Sequence, residues 1–504
     1  MSLSRFALAT RMGGVASSIL ILSACAAVPD LGPKPEMRSA QSVAASSSLA
    51  AAPAAWPGDG WWKAYGDPQL DQLIEEGLRA SPDVAMADAR FRSAMAMQRQ
   101  AGAALLPTVD AEGSAAATKQ SYNMGTPSAF VPKGWLGTGR LALDLGFDLD
   151  LWGKNKASLA AATSEARAAT IDTQQARLVL ATAIADAYAD LARLHDDAEI
   201  AQRTLDLRLA SQKLVADRRQ NGLETQGSVR QADATVSSAK AQLAGAHMAI
   251  ELRQHQIAAL IGAGPDRGLS ITRPKIGALA PLGLPADVTT NLVARRPDVA
   301  AALARAEAAA SKIKVARADF YPAVRLSALI GVQSLGYDAI FAGNTINGTN
   351  RPFTDTLFSK DSIFGNARPA ISLPIFHGGA LRAQYRGARA TYDEAVASYD
   401  KTVLGAYQEV ADAVTTRKTL DQRVTDAKAA VTASQDAYAI AQKRYKGGLS
   451  TYLDVLNVED QLLAARQQLA GLEASAFSTD IALIRALGGG FTAGEPLSKD
   501  QPHG

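Results

Sequence analysis

Between residues 140 and 153 the chain reads R-L-A-L-D-L-G-F-D-L-D-L-W-G, with Leu or Phe at every odd position from 141 to 151. Side chains alternate faces along a strand, so this spacing predicts a strand over 138–151. One face would carry Leu141, Leu143, Leu145, Phe147, Leu149 and Leu151, and the other Arg140, Asp144, Asp148 and Asp150. A half-buried sheet meets that pattern, and so does a strand with lipid outside and water inside. Three more segments, 107–118, 323–334 and 368–376, have strand length, and in 323–334 Val324, Leu326, Ala328, Ile330 and Val332 share a face. Each is close to the nine to eleven residues that a tilted strand needs to cross a bilayer. Pro374 in the last of them disfavours a central place in a sheet or marks a bulge near its rim.

Between the strands the period changes to that of a helix. Leu180, Ile184, Tyr188, Leu191 and Leu194 follow the three/four spacing of a helix seam. The expected helices are 82–106, 155–220 and 226–262, then 297–320, 380–446 and 450–487. A helix over 155–220 would be roughly 100 Å long, which points to a coiled-coil-like rod.

The order helix, strand, loop, strand, long helix, turn, helix occurs twice. Ser81-Pro82-Asp83-Val84 returns as Arg296-Pro297-Asp298-Val299, and Leu105-Leu106-Pro107 as Phe320-Tyr321-Pro322, both at an offset of 215. Trp152 matches Phe376 at 224, and R218-R-Q-N-G-L223 matches R444-Y-K-G-G-L449 at 226. Nearly constant offsets over this distance imply an internal duplication. The resulting plan is a first repeat over 61–262, a linker over 263–284, a second repeat over 285–488 and a tail over 489–504.

Four strands cannot close a barrel, and an open edge is not tolerated in lipid. Closure therefore requires several copies; two would give eight strands and three would give twelve. Loops 119–137 and 335–362 are long and the strand-to-helix joins are short, which puts the loops outside the cell and the helices in the periplasm.

The N-terminus adds an address. Arg5 and Arg11 precede the short apolar run V15-A-S-S-I-L-I-L22 and then Leu22-Ser23-Ala24-Cys25, which resembles a bacterial lipobox. The expectation is a signal peptide over 1–24, a lipid on Cys25 and a Pro/Ala/Ser-rich tether over 25–60. Ala26 is not the aspartate that favours inner-membrane retention, so the outer membrane is the expected location. Apolar residues make up 47% of the chain but aromatics only 6%, so alanine carries much of the count and suits closely packed long helices. Net charge is +3 with no basic run, so nucleic acid is not an expected partner. The five histidines form no metal-ligand pattern and the single cysteine belongs to the lipobox. No catalytic residue, metal or cofactor is expected.

Taken together, W61-W-x-x-Y-x-D-P-x-L70, Ser81-Pro82-Asp83-Val84, Leu105-Leu106-Pro107, D148-L-D-L-W-G153, R295-R-P-D-V299, Phe320-Tyr321-Pro322, R444-Y-x-x-G-L449 and A486-L-G-G-G-F491 resemble the lipidated outer membrane factors of tripartite, resistance-nodulation-division type efflux pumps. The resemblance implies a mixed α and β fold: a homotrimer with a twelve-stranded transmembrane β-barrel, four strands per chain, above a long α-helical periplasmic barrel. Linker 263–284 and the C-terminal tail would form an equatorial collar. It implies that Arg140, Asp144, Asp148 and Asp150 face the lumen, with the leucines on lipid. The partners would be a periplasmic adaptor and an inner-membrane pump.

The helical turns N221-G-L-E-T225 and G447-G-L-S-T451 would meet the adaptor, with Arg218, Gly222, Leu223, Arg444, Gly448, Leu449 and Thr451 at the contact. By the same resemblance Asp454 matches a ring of carboxylates at the periplasmic constriction, and Tyr445 a tyrosine that ties helices in the closed state. The second acidic position of that ring is Asn457 here. Capping of helix 450–487 is the other role open to Asp454. A type I protein-secretion duct, a metal-efflux duct and a periplasmic coiled-coil lipoprotein are the alternatives to a drug-efflux duct. Few methionines are present, so nothing favours soft-metal handling.

Overall fold

The computed structural model describes residues 28–125, 127–131, 133–275, 277, 283–342, 345–350 and 352–493. Cys25, the signal segment and residues 494–504 of the tail lie outside them. The chain divides into two compact units, one made of 1–35, 94–166 and 306–395, the other of 36–93, 167–305 and 396–504. The units do not follow the repeat halves 61–262 and 285–488. Each draws on both repeats, because strands pair with strands and helices pack on helices across the duplication.

In the first unit β1 (Thr108–Thr118), β2 (Leu136–Asp148), β3 (Ala323–Ser334) and β6 (Ile363–Ser372) form one antiparallel sheet in the order β1-β2-β3-β6. Its register sorts the side chains by face. The rows Gly113-Leu141-Val332-Ile363, Ala111-Leu143-Ile330-Gly365, Val109-Leu145-Ala328-Ala367 and Phe147-Leu326-Pro369 hold no polar side chain. The alternating rows are Ser114-Arg140-Gln333, Glu112-Ala142-Gly331-Phe364, Asp110-Asp144-Leu329-Asn366, Thr108-Gly146-Ser327-Arg368 and Asp148-Arg325-Ala370, which carry most of the sheet's charged and polar side chains. The middle of the apolar face is exposed: Leu141, Leu143, Ile330 and Ile363 are among the exposed large hydrophobic residues. Every residue of β1, at one edge, is exposed.

Two strand boundaries differ from expectation. The strand expected over 368–376 runs over Ile363–Ser372 and stops two residues before Pro374. Pro369 is tolerated within it because β6 is an edge strand, where one missing N–H breaks few pairings. Asp150, expected on the 138–151 strand, lies beyond its end at Asp148 and has φ 44°. Its carboxylate accepts hydrogen bonds from the Asn155 and Lys156 amides at 2.8 and 2.9 Å, so it satisfies orphan donors where α3 begins. Asp150 is a helix-start residue and not a strand-face residue. Trp152 has also left the strand: its ring stacks on Tyr321 at 4.8 Å and its Nε1 donates to the Pro322 carbonyl at 2.7 Å.

The segment expected as loop 335–362 contains a second hairpin, β4 (Tyr337–Ala342) with β5 (Thr345–Asn350), and a short helix α8 (Phe353–Leu357). Phe353 packs over Gly139, where an added Cβ would come within 2.3 Å of its ring. A bare glycine at that row is what lets the loop fold back on the sheet.

The second unit holds α1 (Pro68–Ala80), α6 (Val288–Arg295), α4 (Gln226–Leu260) and α10 (Tyr452–Ala486), together with residues 167–220 of the long helix α3 (Lys154–Gln220) and 396–446 of α9 (Ala380–Lys446). The short α5 (Pro265–Leu269) lies in the second unit as well, while α2 (Pro82–Ala103) and α7 (Pro297–Ala318) are each divided between the two. Leu70, Leu73 and Ile74 of α1 are buried among Leu180, Ile184, Tyr188 and Leu191 of α3, Ile257 of α4 and Ile481 of α10. The second repeat does the same with Val288 and Leu292 of α6 against Val403, Tyr407 and Val410 of α9 and Leu483 of α10. Burying each such side chain contributes about 1.5–3 kcal/mol.

Motif residues hold the joints between these helices. Asp67 caps α1 through the Gln69 amide and accepts the Tyr188 hydroxyl at 2.6 Å. Arg296, buried, is gripped by Asp298 at 2.6 Å, Glu409 at 2.6 Å and the Ala486 carbonyl at 3.0 Å. Linker 263–284 is pinned to α3 by Arg273, which reaches Asp196 at 2.5 Å and Glu199 at 3.1 Å. No helix among the described residues is long and apolar enough to cross a membrane.

Candidate functional site

The two helical turns that the sequence marks out sit where α3 passes into α4 and α9 into α10, and both are built alike. The Leu223 and Gly222 amides donate to the carbonyls of Arg218 and Arg219, and those of Leu449 and Gly448 to Arg444 and Tyr445. These are paired closing bonds of a helix C-terminus that ends on a left-handed residue. Gly222 and Gly448 take that place with φ 74° and 76°. Thr225 then caps α4 through the Ser228 amide, and Thr451 caps α10 through the Asp454 amide. What these turns present outward is apolar and basic: Leu223 and Leu449 are exposed, as is Arg444.

Asp454 completes a capping box. Its Oδ2 accepts from the Thr451 amide and hydroxyl, both at 2.8 Å. The backbone N–H first, and then the hydroxyl, hold the carboxyl below the ordinary range. Within one protomer that direction is opposite to the rise a ring of carboxylates would give. Asp454 and Asn457 are both exposed, on the side of α10 away from buried Val455 and Leu456.

Tyr445 lies on the inside of the tips. It is 2% exposed, and its hydroxyl donates to Glu224 Oε2 at 2.9 Å, across to the turn of the other hairpin. Arg218 closes the clasp: its guanidinium lies 4.8 Å from the Tyr445 ring centre and Nη1 donates to the Tyr445 carbonyl at 3.2 Å. Burial first, then the Glu224 carboxylate, push the Tyr445 hydroxyl up, so it stays a donor. For Glu224 burial works upward, but hydrogen bonds from Ser228 and Tyr445 outweigh it and leave the carboxyl below its usual range. The structure thus brings Arg218 and Tyr445 together with a residue, Glu224, that the turn sequence alone did not single out.

Farther along the same hairpins, Glu459 of α10 is completely buried and Arg208 of α3 nearly so, with Nε 3.1 Å from Oε1. Arg208 also reaches Asp460 at 2.6 Å. The sequence carried a signal for this pair: Tyr452, Val455, Leu456, Glu459 and Leu462 are one buried stripe, and a glutamate occupies a seam position of it.

In the sheet, Arg140, Asp144 and Asp148 share the polar face. Asp144 stands opposite Asp110, and Asp148 opposite Arg325. Arg140 lies 5.2 Å from the Phe364 ring centre. Among the described residues no group of three or more acidic, histidine or cysteine side chains could hold a metal ion.

The family model described as outer membrane efflux protein matches residues 73–263 and 288–489, one match for each repeat. The fusaric acid resistance protein FusA of Burkholderia cepacia is 36% identical over 74% of this chain and 68% of its own. The multidrug resistance outer membrane protein MdtP of Escherichia coli K12 is 30% identical over 99% of both chains. Among solved structures, the outer membrane protein VceC of Vibrio cholerae superimposes with a TM-score of 0.78 at 43% identity, covering 86% of this chain and 100% of that one. The chain belongs to the outer membrane efflux protein family.

Proposed function

We propose that this protein is the passive exit duct of a tripartite efflux pump, conducting drugs or other small toxic compounds from a periplasmic adaptor and an inner-membrane resistance-nodulation-division transporter to the exterior. The observation that carries the reading is the sheet register, which puts the rows through Leu141, Leu143, Leu145 and Phe147 on one apolar face and Arg140, Asp144, Asp148, Asp110 and Arg325 on the other, while among the described residues both sheet edges are unpaired. Such a sheet is suited to lipid only after copies of it close into a barrel. Three copies would give twelve strands, with Arg140, Asp144 and Asp148 turned to an aqueous lumen. A relative that confers fusaric acid resistance and another named for multidrug resistance support a duct that selects little among cargoes.

In this reading the lipid on Cys25 adds an anchor to the one the barrel provides. The tips carrying Arg218, Gly222, Leu223, Arg444, Gly448, Leu449 and Thr451 dock the adaptor, since they expose leucines at two structurally equal turns. Tyr445 is a gate residue through its bond to Glu224, and Asp454 supports the gate by fixing where α10 starts.

Planar-bilayer recordings of the purified protein test the duct and its gate together. The wild type should conduct in brief openings. Tyr445→Phe removes a hydrogen bond to a charged acceptor, a loss of about 1.5 kcal/mol, and should raise the open-to-closed ratio roughly tenfold. No conductance at all would count against the duct, and unchanged gating against Tyr445. Intact-mass analysis should find Cys25 as the acylated first residue of the mature chain; a different start or a bare thiol contradicts that assignment. Bulky replacements at Gly222 or Gly448 should abolish crosslinking to the adaptor without dissociating the oligomer, and full crosslinking in both would move the docking site elsewhere.

A further inference from the structure

The tip clasp leaves one charged pair unexplained. Glu459 is 0% exposed, and neither of its carboxylate oxygens receives an aligned hydrogen bond. Its one close cation is Arg208 of the other hairpin, at 3.1 Å, and that guanidinium is shared with Asp460 at 2.6 Å. The other titratable groups around it are Tyr438 of α9 and Tyr452 of α10. From α4, Thr235 brings no charge. An ionised carboxylate in this place has lost its water and gained half of one arginine, so burying it costs several kcal/mol more than burying the neutral acid.

We propose that Glu459 and Arg208 form a proton-sensitive latch between the two hairpins, in which a protonated Glu459 favours the packed tips and its ionisation favours their separation. Separation would hydrate the carboxylate and leave Arg208 with Asp460, which lies at the exposed edge of the pair. The inference rests on the reading of these tips as the closing end of a duct.

The sign follows from the buried position. Burial pushes the Glu459 carboxyl up to about 7, against an ordinary 4.5, with Arg208 pulling it down only in part. A group whose value is raised in the packed form stabilises that form at low pH and loses the effect as pH rises through the raised value. Between pH 6 and 8 the shift from 4.5 to about 7 changes the open-to-closed ratio by about tenfold. Tyr438 and Tyr452 are themselves pushed up by burial and stay neutral in this window. Glu224, held low in the clasp, titrates below it and with the opposite sign: acid weakens its bond to Tyr445.

The test compares the full-length oligomer with Glu459→Gln, which keeps the shape and removes the charge. Amide hydrogen exchange over 205–215 and 452–462 reports separation of the tips whether or not the protein conducts. The ratio of wild-type to Glu459→Gln exchange rates at each pH cancels the intrinsic pH dependence. The latch predicts that this ratio rises about tenfold from pH 6 to pH 8, and a flat ratio overturns it. Infrared spectra supply a second reading, because a buried protonated carboxyl band should be present at pH 6, bleach by pH 8.5 and be missing from Glu459→Gln. If Glu459 is ionised throughout, the band is absent at pH 6 and the latch is wrong even if the variant folds poorly. Failure of the duct reading would show instead as a lack of conductance in the same preparation, with the exchange result intact.

Discussion

An unpaired strand edge is the constraint on which this molecule turns. Backbone N–H and C=O groups without partners cannot remain in hydrocarbon, and the sheet of one chain ends in two such edges, β1 and β6. Its apolar face is equally unfit for water. Both problems have one solution, the lateral pairing of copies, so association of several chains is what the sheet requires, and the proposed trimer is one closure that meets it.

The duplication supplies the rest of the order. Each repeat contributes two strands to one sheet and one long hairpin to the helical unit, and each hairpin turn closes with the same pair of amide bonds. Because the turns are equivalent, side chains from the two repeats meet at matched heights: Arg218 and Glu224 of the first clasp Tyr445 of the second. The clasp and the buried Arg208–Glu459 pair respond to protons in opposite directions. Together they favour packed tips over a middle range of pH and loosen them on either side.

Strand alternation in 140–148, the helix seam through Leu180 to Leu191 and the glycine turns were legible in the sequence, since each rests on contacts a few residues apart. The partner of Tyr445 was not, because Glu224 lies 221 residues away and is selected by how two hairpins lie side by side. Arg208 and Asp460 are separated by 252 residues for the same reason. Asp150 misled because its period matched the strand while its carboxylate served the next helix. The last strand starts five residues and ends four residues before the segment that its sequence suggests, because the apolar run through Ile375 and Phe376 continues past the end of the pairing at Ser372. Strands β4 and β5 carry no strict alternation, so the sequence gives no strand signal there.

Crosslinking across the two sheet edges tests the central claim most directly. Ala111 lies on β1 and Ala367 on β6, both on the apolar face. A protein carrying Ala111→Cys and Ala367→Cys, treated in membranes with a short bifunctional thiol reagent, should give a ladder of one, two and three chains that stops at three. Chains that stay single with both cysteines labelled, or a ladder that runs past three, would contradict closure of the barrel by a trimer.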